Sequence, residues 1–357
     1  MTRLKNKKYL EIYEKIKNDM MCGALKKGDK LPSKRVMSES ANVSVITVEH
    51  AYDLLVSEGY ADSRERSGYF VTYTKGEFFT ENKPSFSPAT PVNVSQTESE
   101  GISYDRLAKT TRAVLAEYGE KLLERSENKG VSELRTEIRN YLERNKGVLV
   151  DTERIIIGSG AEYLYGLIIE LLGERKYAIE TPSYTQIERI YKAKNIDLSR
   201  LQIGSDGIPS ETLMNTKADV LHITPFRSYP TGVCANANKK AEYLLWAKKN
   251  SAFIIEDDYE SEFSLQGNVS QTLFSMDTND SVIYINTFSK TIARSIRVGY
   301  MILPKRLVPL FDEKLGFYSC TVPTLEQYLI TALLRDGTFE KHLNKLRRKR
   351  RLSARKP

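Results

Sequence analysis

The sequence is short of residues that cross-link chains or hold metals. Among its 357 residues there are three cysteines, Cys22, Cys234 and Cys320. An odd number at wide spacing excludes a disulfide framework and a cysteine zinc site, and it predicts a reducing, cytoplasmic setting. Three histidines are too few for histidine-rich metal chemistry, so no metal site is expected. No apolar run approaches the ~18–20 residues that a membrane-spanning helix needs. The longest, around residues 164–172, still carries Glu170. The start, Met1-Thr2-Arg3-Leu4-Lys5, is polar and runs into charged sequence, which reads as no secretory signal and no membrane partner. No internal repeat is present.

What remains is a globular composition, 40% apolar and 28% charged, with length for two or three domains. Charge is unevenly spread. Residues 1–75 carry 14 basic against 10 acidic side chains, and residues 341–357 carry nine basic and no acidic ones. Against a total of +8, the stretch between them is net −5. Basic ends on an acidic body point to a polyanion as the partner of the ends; for the tail, a solvated helix end is the plainer reading. In residues 76–103, Pro84, Pro88 and Pro91 stand among Ser, Thr, Asn and Glu with no apolar period, the composition of a linker. The expected organisation is a head of residues 1–75, a linker of 76–103 and a body of 104–357.

In the head, Leu10, Ile12, Tyr13, Ile16 and Met20 share one face of a helix from Tyr9 to about Cys22. Gly23, Gly28-Asp29 and Pro32 break it. Ser33 precedes a short helix over 34–40, and Asn42-Val43-Ser44 caps a third over about 45–57, ended by Gly59. In that helix Val45, Val48, Tyr52 and Leu55 form a stripe expected to face inward, with Ser44, Thr47 and His50 opposite it. Two short strands, 60–63 and 68–71, flank Arg64-Glu65-Arg66-Ser67. Three helices and a basic hairpin make a winged helix-turn-helix, whose third helix enters the DNA major groove.

The body alternates strand, loop and helix. Apolar strands at 154–157, 176–179, 220–223, 253–255 and 281–285 each end in a polar cluster. Repeated units of this kind predict an α/β fold with a mostly parallel sheet flanked by helices, and ligands of such sheets gather where the strands end. Gly160-Ala161-Glu162 opens a helix whose free N–H groups suit a phosphate. It is neither a Walker loop nor a dinucleotide fingerprint. Asp257 needs a cation to stay ionised at a buried strand end, and a pyridinium nitrogen would serve. Lys290, if partly desolvated, can lose its proton and form a Schiff base. Taken singly, each residue has an ordinary alternative: a helix cap, a solvated lysine, a surface ion pair.

Two resemblances go further. Gly28-Asp29-Lys30-Leu31-Pro32-Ser33-Lys34-Arg35 followed by Asn42-Val43-Ser44-Val45-Ile46-Thr47-Val48 resembles the DNA-binding domain of the GntR superfamily. That resemblance implies DNA contacts from Arg35, Ser44, Thr47, Arg64 and Gly68. Val45 stands where the family commonly has an arginine, and a lost arginine removes a guanine contact worth ~1–3 kcal/mol. In the body, the ordered set Ser159-Gly160-Ala161, Pro182-Ser183-Tyr184, Pro230-Thr231-Gly232, Asp257-Asp258-Tyr259 and Thr287-Phe288-Ser289-Lys290-Thr291 through Arg297-Val298-Gly299-Tyr300 resembles fold type I pyridoxal-phosphate enzymes of the aminotransferase class. By that resemblance the cofactor is pyridoxal 5'-phosphate, with Lys290 forming the internal aldimine and acting as the catalytic residue. Asp257 would face the pyridine nitrogen, Tyr259 the ring hydroxyl and Tyr184 the ring face, while Ala161, Glu162, Ser289 and Arg297 would hold the phosphate.

A GntR-type head on an aminotransferase-like body resembles the MocR class of bacterial transcription factors, typified here by Glu256-Asp257-Asp258-Tyr259-Glu260-Ser261-Glu262-Phe263. It implies a homodimer bound to a double-stranded DNA operator and responsive to an amine, an amino acid or pyridoxal phosphate. Thr224-Pro225-Phe226-Arg227-Ser228-Tyr229 departs from the class pattern Thr-Pro-Ser-His-Gln. Family members also continue into a small C-terminal domain that supplies a carboxylate-gripping arginine, so this chain reads as a truncated member lacking most of that domain. Two alternatives stand beside the regulator: an active aminotransferase carrying a DNA-binding appendage, and a DNA-binding remnant without ligand response.

Overall fold

The computed structural model describes residues 8–64, 67–73, 101–258, 260–263 and 271–354. The linker assigned to 76–103, apart from its last three residues, lies outside them, as do Glu65, Arg66 and Tyr259. The chain divides into two compact units, Met1–Pro88 with Ala235–Tyr243, and Ala89–Cys234 with Leu244–Pro357.

The head contains α1 (Lys8–Met21), α2 (Lys34–Ser40), α3 (Val45–Ser57) and a hairpin of β1 (Ala61–Arg64) and β2 (Gly68–Val71). Hydroxyl caps set both helix starts: Ser33 Oγ accepts from the Val36 N–H at 3.3 Å and Ser44 Oγ from the Thr47 N–H at 3.2 Å. Ile12, Tyr13, Ile16 and Met20 of α1 pack with Val48, Ala51, Tyr52, Leu54 and Leu55 of α3 and with Val71 of the hairpin. One expectation fails. Val45 is not part of the inward stripe but 40% exposed, because the stripe runs past the end of the core at the first residue of α3.

The body begins with α4 (Tyr104–Tyr118) and α5 (Ser132–Lys146) and continues through β3 (Ile155–Gly158), α6 (Ala161–Leu172), β4 (Lys176–Thr181), α7 (Thr185–Ala193) and β5 (Asp197–Gln202). Next come α8 (Ser210–Asn215), β6 (Val220–Ile223), α9 (Ala237–Asn250), β7 (Phe253–Asp257), α10 (Leu273–Met276), β8 (Val282–Thr287) and β9 (Gly299–Ile302). Three helices follow, α11 (Val308–Leu315), α12 (Thr324–Arg335) and α13 (Thr338–Ala354). The strands form one sheet in the order β3-β9-β8-β7-β6-β4-β5. The neighbours from β8 through β5 pair in parallel, whereas β9 is antiparallel to both β8 and β3. Strand β3 therefore points the same way as β8, and only β9 runs against the sheet.

Alternating side chains bury both faces, as a covered parallel sheet requires. Ile155 and Ile157 of β3, Tyr284 of β8 and Tyr300 and Ile302 of β9 join a core with α5, α12 and the first turns of α13. Their neighbours Ile156, Ile283, Ile285 and Met301 join a second core with α6, α7 and α11. The result is a three-layer α/β/α body. Among the described residues, no helix is long and apolar enough to cross a membrane.

Candidate ligand site and nucleic-acid interface

The sheet topology places the polar clusters on one edge. Strands β3, β4, β6, β7 and β8 all finish there, and the reversed β9 starts there. Gly299 is registered with both Gly158 and Thr287, so Arg297, two residues earlier, falls beside the end of β3 and the loop after β8. Asp257 closes β7 next to Ile285 of β8, five residues before Lys290.

The Asp257 carboxylate is buried and accepts a hydrogen bond from the Tyr165 hydroxyl of α6. His222 Nε2, on β6, lies 3.9 Å from its Oδ2 and has no hydrogen-bond partner, although it is buried. The other ring nitrogen, Nδ1, is 2.8 Å from the Tyr191 hydroxyl. Burial first, and then the Asp257 charge, push the Tyr165 hydroxyl well above its usual range, so it remains a donor. The carboxylate is thus fixed in direction by a neutral donor.

Lys290 donates to Glu260 Oε1 at 2.9 Å, and Arg227 Nη1 reaches Glu260 Oε2 at 3.3 Å. Partial burial of the amine lowers its pKa to about 8, assisted by the positive charges of Arg350, Arg227 and Arg294; the charge of Asp257 opposes the shift. The side chain is still 42% exposed, so desolvation is incomplete. Ser289 Oγ donates to the Ile296 carbonyl at 2.7 Å and ties together the loop that carries Lys290 and Arg297.

At the start of α6, Gly160 has φ of 95° and no side chain caps the helix, which leaves the first-turn N–H groups of Ala161 and Glu162 open. A Cβ at position 160 would meet Arg297 Nη2 at 2.9 Å, so glycine is what lets the guanidinium lie against this turn. Arg297 Nη2 is also 3.5 Å from the Glu162 carboxylate. Tyr184 is 43% exposed and meets Tyr229 edge-on with centroids 6.1 Å apart. Burial raises the pKa of its hydroxyl, and the charges of Glu162 and Arg297 act on it in opposite directions.

The structure thus brings Lys290 within electrostatic reach of Asp257, and Tyr184 with Glu162 and Arg297. Tyr259 lies outside the described residues. Sequence reading did not single out Tyr165, His222 or Glu260 as partners. Tyr165 and His222 lie inside apolar runs whose periodicity signals only a core, and Glu260 sits in a run of acids where no spacing marks one.

In the head, Arg35 and Ser44 are exposed and Thr47 is half-buried. Ser44 Oγ and Thr47 Oγ1 are 2.8 Å apart. Arg64 stacks its guanidinium over Phe70 at 4.5 Å, and Gly68, with φ of 105°, turns the hairpin beside Lys30. All five expected DNA residues lie on α2, at the start of α3 or on the hairpin.

Comparison with known proteins assigns both parts. Residues 8–71 match the bacterial regulatory proteins of the gntR family, and residues 91–356 match aminotransferase class I and II. The solved structure of an archaeal alanine:glyoxylate aminotransferase aligns with a TM-score of 0.62 at 22% identity, over 68% of this chain and 62% of that one. The kynurenine aminotransferase of Pyrococcus horikoshii, solved in complex with PMP, gives 0.60 at 23%, over 70% and 66%. The aligned part spans less than two thirds of each enzyme, and at this identity it defines the fold. The class is therefore a helix-turn-helix head on an aminotransferase-like fold.

Whole-chain relatives narrow it. The uncharacterized HTH-type transcriptional regulator YdeL of Bacillus subtilis (strain 168) is 30% identical over 351 residues, 95% of this chain and 76% of that protein. The probable rhizopine catabolism regulatory protein MocR of Rhizobium meliloti is 26% identical over 95% of this chain and 74% of its own length. The pyridoxine biosynthesis transcriptional regulator PdxR of Corynebacterium glutamicum is 27% identical over 95% and 75%. The chain belongs to this MocR-type family of DNA-binding transcriptional regulators.

Proposed function

We propose that this regulator holds pyridoxal phosphate at the strand-end site of its body and senses an amine, an amino acid or the cofactor itself there, with Lys290 as the covalent anchor. The observation that carries the reading is the state of Lys290: an amine with pKa near 8, beside a buried carboxylate and on the edge where an arginine lies against an uncapped helix start. The residues fit the group. Arg297 and the N–H groups of Ala161 and Glu162 would hold its phosphate, joined by Ser289 once its hydroxyl turns from the Ile296 carbonyl. Asp257, held by Tyr165, would face its ring nitrogen and favour the protonated form. Tyr184 covers the ring face, and Tyr259 is assigned to the ring hydroxyl by resemblance alone. When bound, the cofactor supplies an aldehyde that captures primary amines.

The chain's own part is acid–base and positional. Lys290 presents a neutral nitrogen in useful amount near neutral pH, its proton passing to water. Arg227 and Glu260 keep the amine in place. In the head, Arg35, Arg64 and the Gly68 turn meet phosphates, while Ser44 and Thr47 start the helix that faces base edges. We assign the head to residues 1–75, the connection to 76–103 and the ligand-binding body to 104–357, working as a homodimer on an operator. A ligand switches such a protein only by binding one arrangement of the heads better than another. The name of the Corynebacterium relative, a pyridoxine biosynthesis regulator, supports a vitamin B6 signal.

The test is a titration of the purified chain with pyridoxal phosphate, followed by visible absorption and by borohydride. A band above 400 nm that borohydride bleaches, and that is missing in Lys290→Ala, is expected. No band in the unaltered chain overturns the proposal. Continuous keto-acid production from an amino-acid panel would favour an enzyme over a sensor.

A further inference from the structure

Among the described residues of the head, the large apolar side chains left exposed are Val36, Val45 and Ile46, at 57%, 40% and 65%. All three stand in the first turn of α2 or α3, the two helices of the helix-turn-helix. Most other large apolar groups among the described residues of the head are packed into or against the core. The first turn of α3 is the part of such a fold that faces base edges in the major groove. Exposed apolar surface at a base-reading position gains free energy when DNA covers it with an apolar group.

The polar groups around it are engaged with each other. Ser44 Oγ accepts from the Thr47 N–H at 3.2 Å and lies 2.8 Å from Thr47 Oγ1. Lys34 donates to Glu49 at 2.5 Å, which neutralises the acid one turn beyond Val45. No arginine or lysine extends from the first turn of α3.

We infer that Val45 and Ile46 read thymine, packing against its C5-methyl group in each operator half-site. An isopropyl or sec-butyl group cannot satisfy guanine O6 and N7 or the cytosine amino group, and facing either would desolvate them without replacement. The thymine methyl is the apolar group that a major-groove base edge offers. Charge supports the placement: Arg35 on α2 and Arg64 on the hairpin are exposed, free of the core to meet phosphates and fix the register. The inference rests on the family's DNA binding and is independent of what the body binds.

The experiment uses the full chain. Sites are first selected from a random duplex library. The selected sequence is then rebuilt with deoxyuridine in place of thymine, one half-site position at a time, which deletes a single methyl group and leaves every hydrogen-bonding edge intact. Thymine is expected at one or two fixed positions per half-site, with about a fourfold loss of affinity for each methyl removed, the size of one buried CH₂ group. Val45→Ala and Ile46→Ala are each expected to weaken binding to the thymine duplex and to lose their discrimination against uracil at one position. Both positions are exposed, so neither variant should change the melting temperature. Guanine at every fixed position, equal binding to uracil and thymine, uracil discrimination that survives in both variants, or the absence of any selected site overturns the inference.

Discussion

The amine of Lys290 should load at a pH far below that of an ordinary lysine. An exposed lysine, with pKa near 10.4, has roughly one part in 2,500 of its amine neutral at pH 7. With a pKa of about 8, Lys290 has about a tenth neutral, a gain of roughly two hundredfold in the reactive form. Trapping with borohydride after short exposure to pyridoxal phosphate, read by mass spectrometry between pH 6 and 10, gives the rate at each pH. The rate is expected to rise about tenfold per unit below pH 8 and to level off above it. Arg227→Gln removes one like charge and a cation that competes for Glu260, so both effects favour the ammonium. The midpoint should move upward by up to about one pH unit, the scale of a single charge across a partly wetted gap. A midpoint near 10 in the unaltered chain, or a downward move in the variant, would refute this reasoning.

Three further outcomes follow from specific contacts. Tyr165→Phe deletes the buried donor to Asp257 and should cost about 1–3 kcal/mol, seen as a fall of a few degrees in thermal unfolding, together with weaker cofactor loading. Lys146→Ala leaves the buried carboxylates of Asp258 and Glu262 without their shared cation, and should cost about 3–5 kcal/mol in urea unfolding of the body. Arg35→Ala should weaken binding to DNA of any sequence and reduce the salt slope by about one, whereas a variant that shifts DNA as well as the unaltered chain would remove Arg35 from the interface.

The chain shows where sequence patterns carry structural information. The five strands β3, β4, β6, β7 and β8 are apolar runs between polar clusters, and all were legible. The edge strand β5, Asp-Leu-Ser-Arg-Leu-Gln, is largely exposed and carries no such run. Strand β9, Gly-Tyr-Met-Ile, follows the Lys290 loop with no polar cluster at its end, and its reversed direction depends on pairing that no local pattern encodes. In the head, capping hydroxyls and glycines marked the helix ends well. Periodicity misplaced Val45, because a 3.6-residue stripe shows which face a residue occupies and not whether anything packs against the helix at that height. Asp257, Lys290 and Arg297 were singled out by the order of their motifs, through the resemblance that order carries. Their buried supports were not, since Tyr165 and His222 look like core in sequence and gain meaning only when α6 and β6 meet β7.

The central claim is a covalent attachment at one nitrogen, and peptide mapping after borohydride reduction tests it most directly. The expected result is a single pyridoxyl label per chain, on the peptide that contains Lys290, with none in Lys290→Ala. A label spread over surface lysines, or one that persists at full yield in that variant, would contradict it.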